Sequence, residues 1–460
     1  MTISVIIPVY NAQANLQLCL EHLSRSSAPI LECIVVDDGS TDRTAEAARK
    51  AGARVTTLDR QHGPAFARNV GAKEARGDVL FFLDADVCIQ PDAIARLLAN
   101  FAEDPDLDAV VGSYDDAPPA TGLLSQYRNL MHSHVHQRAP RETATFWSGC
   151  GAIRRLVFLA HGGFDASYSR PAIEDIELGY RLARANCKLA VDNQLLVKHL
   201  KHWTLWNLIK TDIMDRGVPW TELILRDRSM PNHLNIDRSE RISVALSFIL
   251  FGLAAEGTIR YRGYFLTPFL AVLIFLLAKY WVDATSRPRS RAITLCMTLL
   301  IGCFSYLAWH YHMIKMVPPV LLGYAMLFIQ HRYTQGRTQA VIGKIYGIYL
   351  FFVLLFALAF LPARPVVFTV YLVLIVLIVL NKELYVFLST RLGGFGALAV
   401  LPFHFLYHFY NGISFLIGLT RHIGKGLRNE SPLAKRQSSN SVLTKAATLQ
   451  ATAKDYSERL

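Results

Sequence analysis

The hydrophobic pattern changes character partway along the chain. Up to about residue 240, short apolar runs alternate with charged stretches and Gly/Pro-containing turns; long apolar blocks fill 241–420, and 421–460 is polar. In the first part, residues 3–8, 32–36, 55–58 and 79–83 read as strands. The last of these is apolar on both faces, as a central strand of a parallel sheet is. Between them, Leu16, Leu20 and Leu23 recur at helical spacing, Ser40 or Thr41 can cap a helix running through 45–50, and 66–75 gives a third helix. This βαβαβαβ order predicts an α/β domain, a mostly parallel sheet with helices on both faces.

Parallel strands bring their carboxyl ends to one edge, so Pro8, Asp38 and Asp84 are expected together, where open α/β sheets bind ligands. The second strand ends in Asp37-Asp-Gly-Ser-Thr-Asp42 and the fourth in Asp84-Ala-Asp86. Carboxylates beside a core are costly without partners. Asp84 and Asp86 therefore either hold a divalent cation or ornament a solvated turn. Magnesium and manganese suit the first reading, because they take oxygen ligands and share them with substrate phosphates. No G-x-G-x-x-G follows the first strand and there is no G-x-x-x-x-G-K-[ST], so dinucleotide and P-loop readings fall away. Ser169 and Pro171 signal a helix start, with Asp175 in or near the first turn. The positive helix end would keep it ionised and able to accept a proton; the plainer reading is a solvated helix start. His132, His134 and His136 alternate, and on a strand would share one face, as a metal site or as solvated or substrate-facing side chains.

The net charge of +12 is concentrated beside the apolar blocks, at Arg260, Arg262, Arg287, Arg289, Arg291, Arg332, Arg337, Lys344, Arg421, Lys425 and Arg428. That suits membrane flanks and anionic headgroups better than nucleic acid. Segments 264–282, 293–309, 341–361 and 366–380 approach the length of a membrane span, with 242–255 and 317–329 shorter. Six spans put the basic loops on the cytoplasmic side, and 398–419, which carries His404, His408 and Asn411, is expected to lie at the interface or re-enter. Seven cysteines without paired spacing read as buried free thiols. Thr2 leads directly into the first strand, so the expectation is a cytoplasmic catalytic domain on a multi-pass inner-membrane protein.

Taken together, Val5-Ile-Ile-Pro-Val-Tyr-Asn11, Val35-Val-Asp-Asp-Gly-Ser-Thr-Asp42, Ala67-Arg-Asn69 with Gly71, Leu83-Asp-Ala-Asp86 and Glu174-Asp175 resemble the family 2 glycosyltransferases, with the GT-A fold. The resemblance covers about the first half of the chain, 1–240, ahead of the helical membrane region 241–420 and the polar tail 421–460. It implies a nucleotide-sugar donor, with Asp38 on the base, Pro8 and Tyr10 around the nucleotide, Arg68 also on the donor, Asp84 near the ribose and Asp86 on a Mg2+ or Mn2+ ion. His199 is similar to a histidine that completes the metal or diphosphate site in several GT-A enzymes. Alternatively Trp203 and Trp206, with Lys201 and Lys210, mark a helix on the membrane surface. Trp147, Ser148 and Gly149, with Glu174, correspond to the acceptor pocket, Trp147 serving equally as a core anchor. Arg216-Gly-Val-Pro-Trp220 is similar to the Q-x-x-R-W signature of processive synthases, but lacks the Gln and separates Arg from Trp.

The reading that follows is a membrane-anchored, metal-dependent, inverting glycosyltransferase. Asp175 acts as base on a hydroxyl of a lipid-linked, glycolipid or polysaccharide acceptor. A polyprenyl-phosphate acceptor is the alternative, and would hardly need the base. From other classes, a nucleotidyltransferase lacks its G-x-G-T-R opening. A transporter with a nucleotide-binding regulatory domain would want ionisable residues within the spans.

Overall fold

The computed structural model describes residues 1–228, 238–261, 306 and 365–429. Strands β1 (Ile3–Val9), β2 (Glu32–Asp37), β3 (Arg54–Thr57) and β4 (Val79–Leu83) alternate with helices α1 (Gln13–Ser24), α2 (Thr44–Lys50) and α3 (Pro64–Glu74). They are followed by β5 (Val87–Ile89), α4 (Ala93–Glu103), β6 (Ala109–Tyr114), α5 (Leu123–Gln137), β7 (Cys150–Arg154), α6 (Arg155–Ala160), α7 (Glu174–Arg184) and β8 (Leu189–His199). The eight strands form one sheet in the order β3-β2-β1-β4-β7-β6-β8-β5.

The first four strands are mutually parallel, as the alternating pattern predicts. The sheet as a whole is mixed rather than mostly parallel. Strand β7 runs antiparallel between β4 and β6, and β5 pairs antiparallel with β8. A reversed strand reads the same in a sequence, since being buried on both faces makes any central strand uniformly apolar. Because β6 is antiparallel to β7, it again runs with β4, and β8 is parallel to β6. The carboxyl ends of β1, β2, β4, β6 and β8 therefore meet one edge, together with the start of β7.

The period of two along β4 splits the core. Val79, Phe81 and Leu83 face α1 and α4 with Leu16, Ile94 and Leu97, while Leu80 and Phe82 face Phe146, Phe158, Phe164 and Leu178. Each fully buried phenylalanine contributes about 2–3 kcal/mol of transfer free energy. Gly71 lets α3 lie directly on β1, because a Cβ there would sit 2.6 Å from the Ile6 side chain.

Instead of the strand that would have given them one shared face, His132, His134 and His136 lie on helix α5. Tyr127, Leu130 and Met131 form its buried stripe, and at helical period His132 and His136 share a face while His134 does not. Accordingly His132 and His136 pack on Tyr114, whereas His134 packs on Phe387.

After β8 the chain forms α8 (Leu205–Lys210), a π-helix (Thr211–Gly217) and α9 (Val218–Asp227), then α10 (Arg238–Tyr261), α11 (Pro365–Leu380), α12 (Lys382–Ala399) and α13 (Leu401–Asn429). Helix α13 continues to Asn429, past the expected start of the polar tail at 421. Its Gly418 lies against Thr221 of α9, and Ser414 lies against Gly217 of the π-helix. Among the described residues, no single helix is long and apolar enough to cross a membrane; one pair, Leu372–Leu380 with Lys382–Ala399, passes by length and composition but is bent by 74°. The predicted spans 264–282, 317–329 and 341–361 lie outside the described residues, as does 293–309 apart from residue 306.

Candidate active site

The loops after β1 and β2 are stapled together at the shared edge. Asn11, at φ +47°, accepts hydrogen bonds from the Thr41 amide (2.7 Å) and hydroxyl (3.2 Å), and its own backbone amide donates to the Ser40 hydroxyl at 2.9 Å. Pro8 is buried within β1 opposite Val36, and Tyr10 is exposed at the rim. Asp38, 3% exposed, accepts the backbone amides of His62 and Gly63, each at 2.8 Å. Burial pushes its carboxyl up despite these two bonds. Gly63, at φ +99°, has its Cα against the Ser169 backbone, so the loop that Asp38 holds also abuts the approach to α7.

Arg68 is the buried centre of the site. From α3 it donates to Asp84 at 2.7 Å and to Glu174 at 2.8 Å, tying the end of β4 to the start of α7. Burial opposes its charge, and the two carboxylates outweigh that and raise its pKa. Glu174, expected on the acceptor side, turns inward instead: it is 4% exposed, with one oxygen on Arg68 and the other on the Ala172 amide. Its position one residue before Asp175 puts it on the other side of the helix start, which spacing alone does not reveal.

Asp175 accepts the Ser148 amide (3.1 Å) and hydroxyl (3.2 Å) on one oxygen and the Ile176 amide (2.8 Å) on the other. The helix end was expected to keep its pKa low. Burial and the neighbouring Glu174 charge prevail over Arg68 and these hydrogen bonds, raising it to about 6. At neutral pH it is still ionised, and a stronger base than an ordinary aspartate. Ser148 thus bonds to Asp175 directly. Gly149 accepts the Asp84 amide at 3.2 Å, and a Cβ on it would strike the Trp147 indole 2.6 Å away. Trp147 is half-buried against Tyr114 (4.3 Å) and His136 (4.9 Å), packing on the core and bordering the cleft at once.

Asp86 faces His199 at the end of β8, carboxylate to Nε2 at 3.6 Å, while His199 Nδ1 is oriented by Asn129 at 3.2 Å. Burial tends to raise the Asp86 carboxyl, but His199 and then Lys201 bring it down to about 2. Among the described residues no group of three or more His, Cys, Asp or Glu side chains is arranged to hold a metal. Asp86 and His199 supply one oxygen and one nitrogen, a donor set that could hold Mg2+ or Mn2+ with phosphate oxygens and waters completing the shell. Burial keeps the His136 imidazole neutral, down to about 4. Sequence reasoning missed Tyr114, Asn129 and Lys201 as parts of this edge. Tyr114 alone carried a signal, as the last residue of an apolar strand.

An α/β domain that gathers acidic groups from several strand ends and one helix start at a single sheet edge places them where such sheets bind ligands. Residues 4–162 match the family model described as glycosyl transferase family 2. The chain is 30% identical over 226 residues to validoxylamine A glucosyltransferase of Streptomyces hygroscopicus subsp. jinggangensis (strain 5008), covering 42% of this chain and 54% of that one. It is 41% identical over 123 residues to undecaprenyl-phosphate 4-deoxy-4-formamido-L-arabinose transferase of Pseudomonas paraeruginosa (strain DSM 24068 / PA7), covering 25% and 35%. The chain spans about half the length, or less, of the curated relatives it matches. Among solved structures, the mannosyltransferase PcManGT from Pyrobaculum calidifontis, in complex with GDP-Man and Mn2+, is similar at a TM-score of 0.41 and 18% identity, over 73% of this chain and 88% of that one.

Proposed function

We propose that this chain is a membrane-anchored inverting glycosyltransferase that moves a sugar from a nucleotide-sugar to a hydroxyl of a lipid-linked, glycolipid or polysaccharide acceptor. The observation that carries the reading is Asp175: a carboxylate raised to about 6 at a helix start, tied through Ser148 and the Glu174–Arg68–Asp84 chain to the acidic end of β4. A proton acceptor poised near neutral pH suits a hydroxyl nucleophile.

In this mechanism the nucleotide lies over the β1 and β2 loops, against Pro8, Tyr10 and Asp38. Asp84, fixed by Arg68, takes the ribose side. Asp86 and His199 would hold a divalent cation, which when bound offsets charge on the departing diphosphate. Trp147 and Gly149 border the acceptor, and Ser148 orients Asp175. Asp175 removes the hydroxyl proton as the oxygen attacks the anomeric carbon opposite the leaving group, so a single displacement inverts the configuration. No second carboxylate serves as a covalent nucleophile in this scheme. Relatives named for undecaprenyl-phosphate and for diaponeurosporenoate substrates support a lipid-borne acceptor. The apolar blocks of the second half support anchorage in the inner membrane with the catalytic domain on the cytoplasmic side.

The test is turnover by the purified full chain with UDP-, GDP- and TDP-sugars, manganese and extracted membrane lipids. The expected result is sugar transfer to lipid with release of nucleoside diphosphate. Release of pyrophosphate, or no turnover together with no stabilisation by any of these donors, would overturn the reading.

A further inference from the structure

A second cavity opens beside the cleft, between the π-helix and α9 on one side and α10 and α13 on the other. It measures about 350 Å³, within the range of small-molecule sites. Its walls are largely apolar, with Trp220, Ile224, Val244, Tyr407 and Phe415 among them. Its other end is ionic, lined by Arg128, Arg216 and Arg241 against Asp212 and Glu240. Asp212, 3% exposed, is already bonded through one oxygen to Arg128 at 2.6 Å and through the other to Tyr410 at 2.7 Å. Arg216 therefore gets only a 3.7 Å approach to a carboxylate whose charge Arg128 has already balanced, and its side chain remains 37% exposed. The charge of Arg216 is also felt by Lys201, Tyr114 and His132 on the cleft side. Arg216 thus stands between the apolar cavity and the edge where Asp86 and Asp175 lie.

We infer that this cavity binds a single apolar chain ending in a phosphate, with the phosphate on Arg216 and the chain among Trp220, Ile224, Val244 and Phe415. A guanidinium that already has one partial partner, beside a largely apolar slot of about 350 Å³, too small for two acyl chains, matches an isoprenoid-type phosphate rather than a bilayer phospholipid. The inference rests on the transferase reading for its purpose. It gives the lipid-linked acceptor its anchor, with phosphate and chain outside the cleft and the acceptor sugar reaching toward Trp147 and Asp175.

The test is a binding measurement that needs no turnover. The full chain, in nanodiscs of phosphatidylcholine, is titrated with farnesyl phosphate, farnesol and inorganic phosphate, following Trp fluorescence and melting temperature. Farnesyl phosphate should bind saturably and at least tenfold more tightly than farnesol, with no response to inorganic phosphate alone. Arg216→Gln should reduce the preference for the phosphate to threefold or less. Val244→Trp and Ile224→Trp, which fill the slot from opposite walls, should each remove binding of both amphiphiles. Absence of farnesyl phosphate binding, wild-type binding in both plugged variants that still fold, or an equal response to inorganic phosphate would overturn the inference. Stabilisation by the sugar nucleotides is read in the same preparation. Response to those nucleotides without response to farnesyl phosphate sinks this site alone, and the reverse sinks the transferase reading alone.

Discussion

Replacing Asp175 by Asn should slow the enzyme and stabilise the fold at once, and the two effects should depend on pH in linked ways. The carboxyl sits near 6 in the folded chain because burial and Glu174 oppose its ionisation, whereas an unfolded aspartate titrates near 4. Between about pH 4 and 6 the native state holds a proton that the unfolded state has lost. Stability therefore falls as pH rises through that window, and the cost is constant above it. The full gap corresponds to at most ~3 kcal/mol. Asp175 is only half-buried, so solvent screening reduces this to about 1–2 kcal/mol. Asn keeps an acceptor for Ser148 and carries no charge. Its melting temperature should match wild type at pH 4 and exceed it by ~2–6 °C at pH 8. Without a base, kcat should drop ~10²–10⁴-fold, while wild-type kcat/KM should fall about tenfold per pH unit below pH 6. Initial rates from pH 5 to 9 and melting curves from pH 4 to 9 measure both. If the variant retains more than a tenth of kcat, or if its melting advantage is the same at pH 4 and pH 8, the proposed role of Asp175 is wrong.

The other perturbations act on single contacts. Arg68→Met strands Glu174 in the interior and should destabilise by about 3–5 kcal/mol in denaturant titrations. Asp86→Asn and His199→Ala should each weaken manganese binding in the presence of a sugar nucleotide by tenfold or more, measured by calorimetry, and leave the melting temperature of the apo chain within a few degrees. Gly63→Ala places a Cβ 2.5 Å from the Ser169 carbonyl at a positive φ and should cost ~1–3 kcal/mol; nucleotide affinity should fall with it, because the Gly63 amide is one of the two groups holding Asp38. Asp212→Ala leaves Arg128 buried and unpaired and should lower stability by ~3–5 kcal/mol, with protease cutting first near the α9–α13 contact.

How much was legible in the sequence depended on how local the cause was. The strand β4 and its Asp84–Asp86 ending could be read directly, since an unbroken apolar run stopped by carboxylates has few other folded forms. Sharing of one edge by Pro8, Asp38 and Asp84 followed from parallel order alone. The histidines of α5 stayed open in the sequence because alternation over five residues imitates a strand, while the deciding stripe of Tyr127, Leu130 and Met131 has helical spacing and overlaps them. The reversal of β7 and the inward turn of Glu174 could not be seen, because both are set by partners distant along the chain, 40 residues away in the β6 pairing and 106 at Arg68. The rise of Asp175 was hidden for the same reason: a helix start predicts a lowered pKa, and only the packed site shows the desolvation and the adjacent charge that outweigh it.

Arg68 explains why two neighbouring acidic residues behave so differently. Its guanidinium spends one nitrogen on Asp84 and another on Glu174, and both partners lie one or two residues from the groups assigned to chemistry, Asp86 and Asp175. A third carboxylate, Asp175, feels the same cation only at a distance and is left to amides and a hydroxyl. The charge of Glu174 pushes its neighbour upward. If Arg68 could be replaced without loss of folding, for example by Lys with one donor directed to each carboxylate in turn, the coupling predicts that Asp175 would rise further whenever Glu174 loses part of its partner. The acid limb of the rate profile would then move toward higher pH with Asp175 itself untouched, a shift that a purely structural role for Arg68 would not produce.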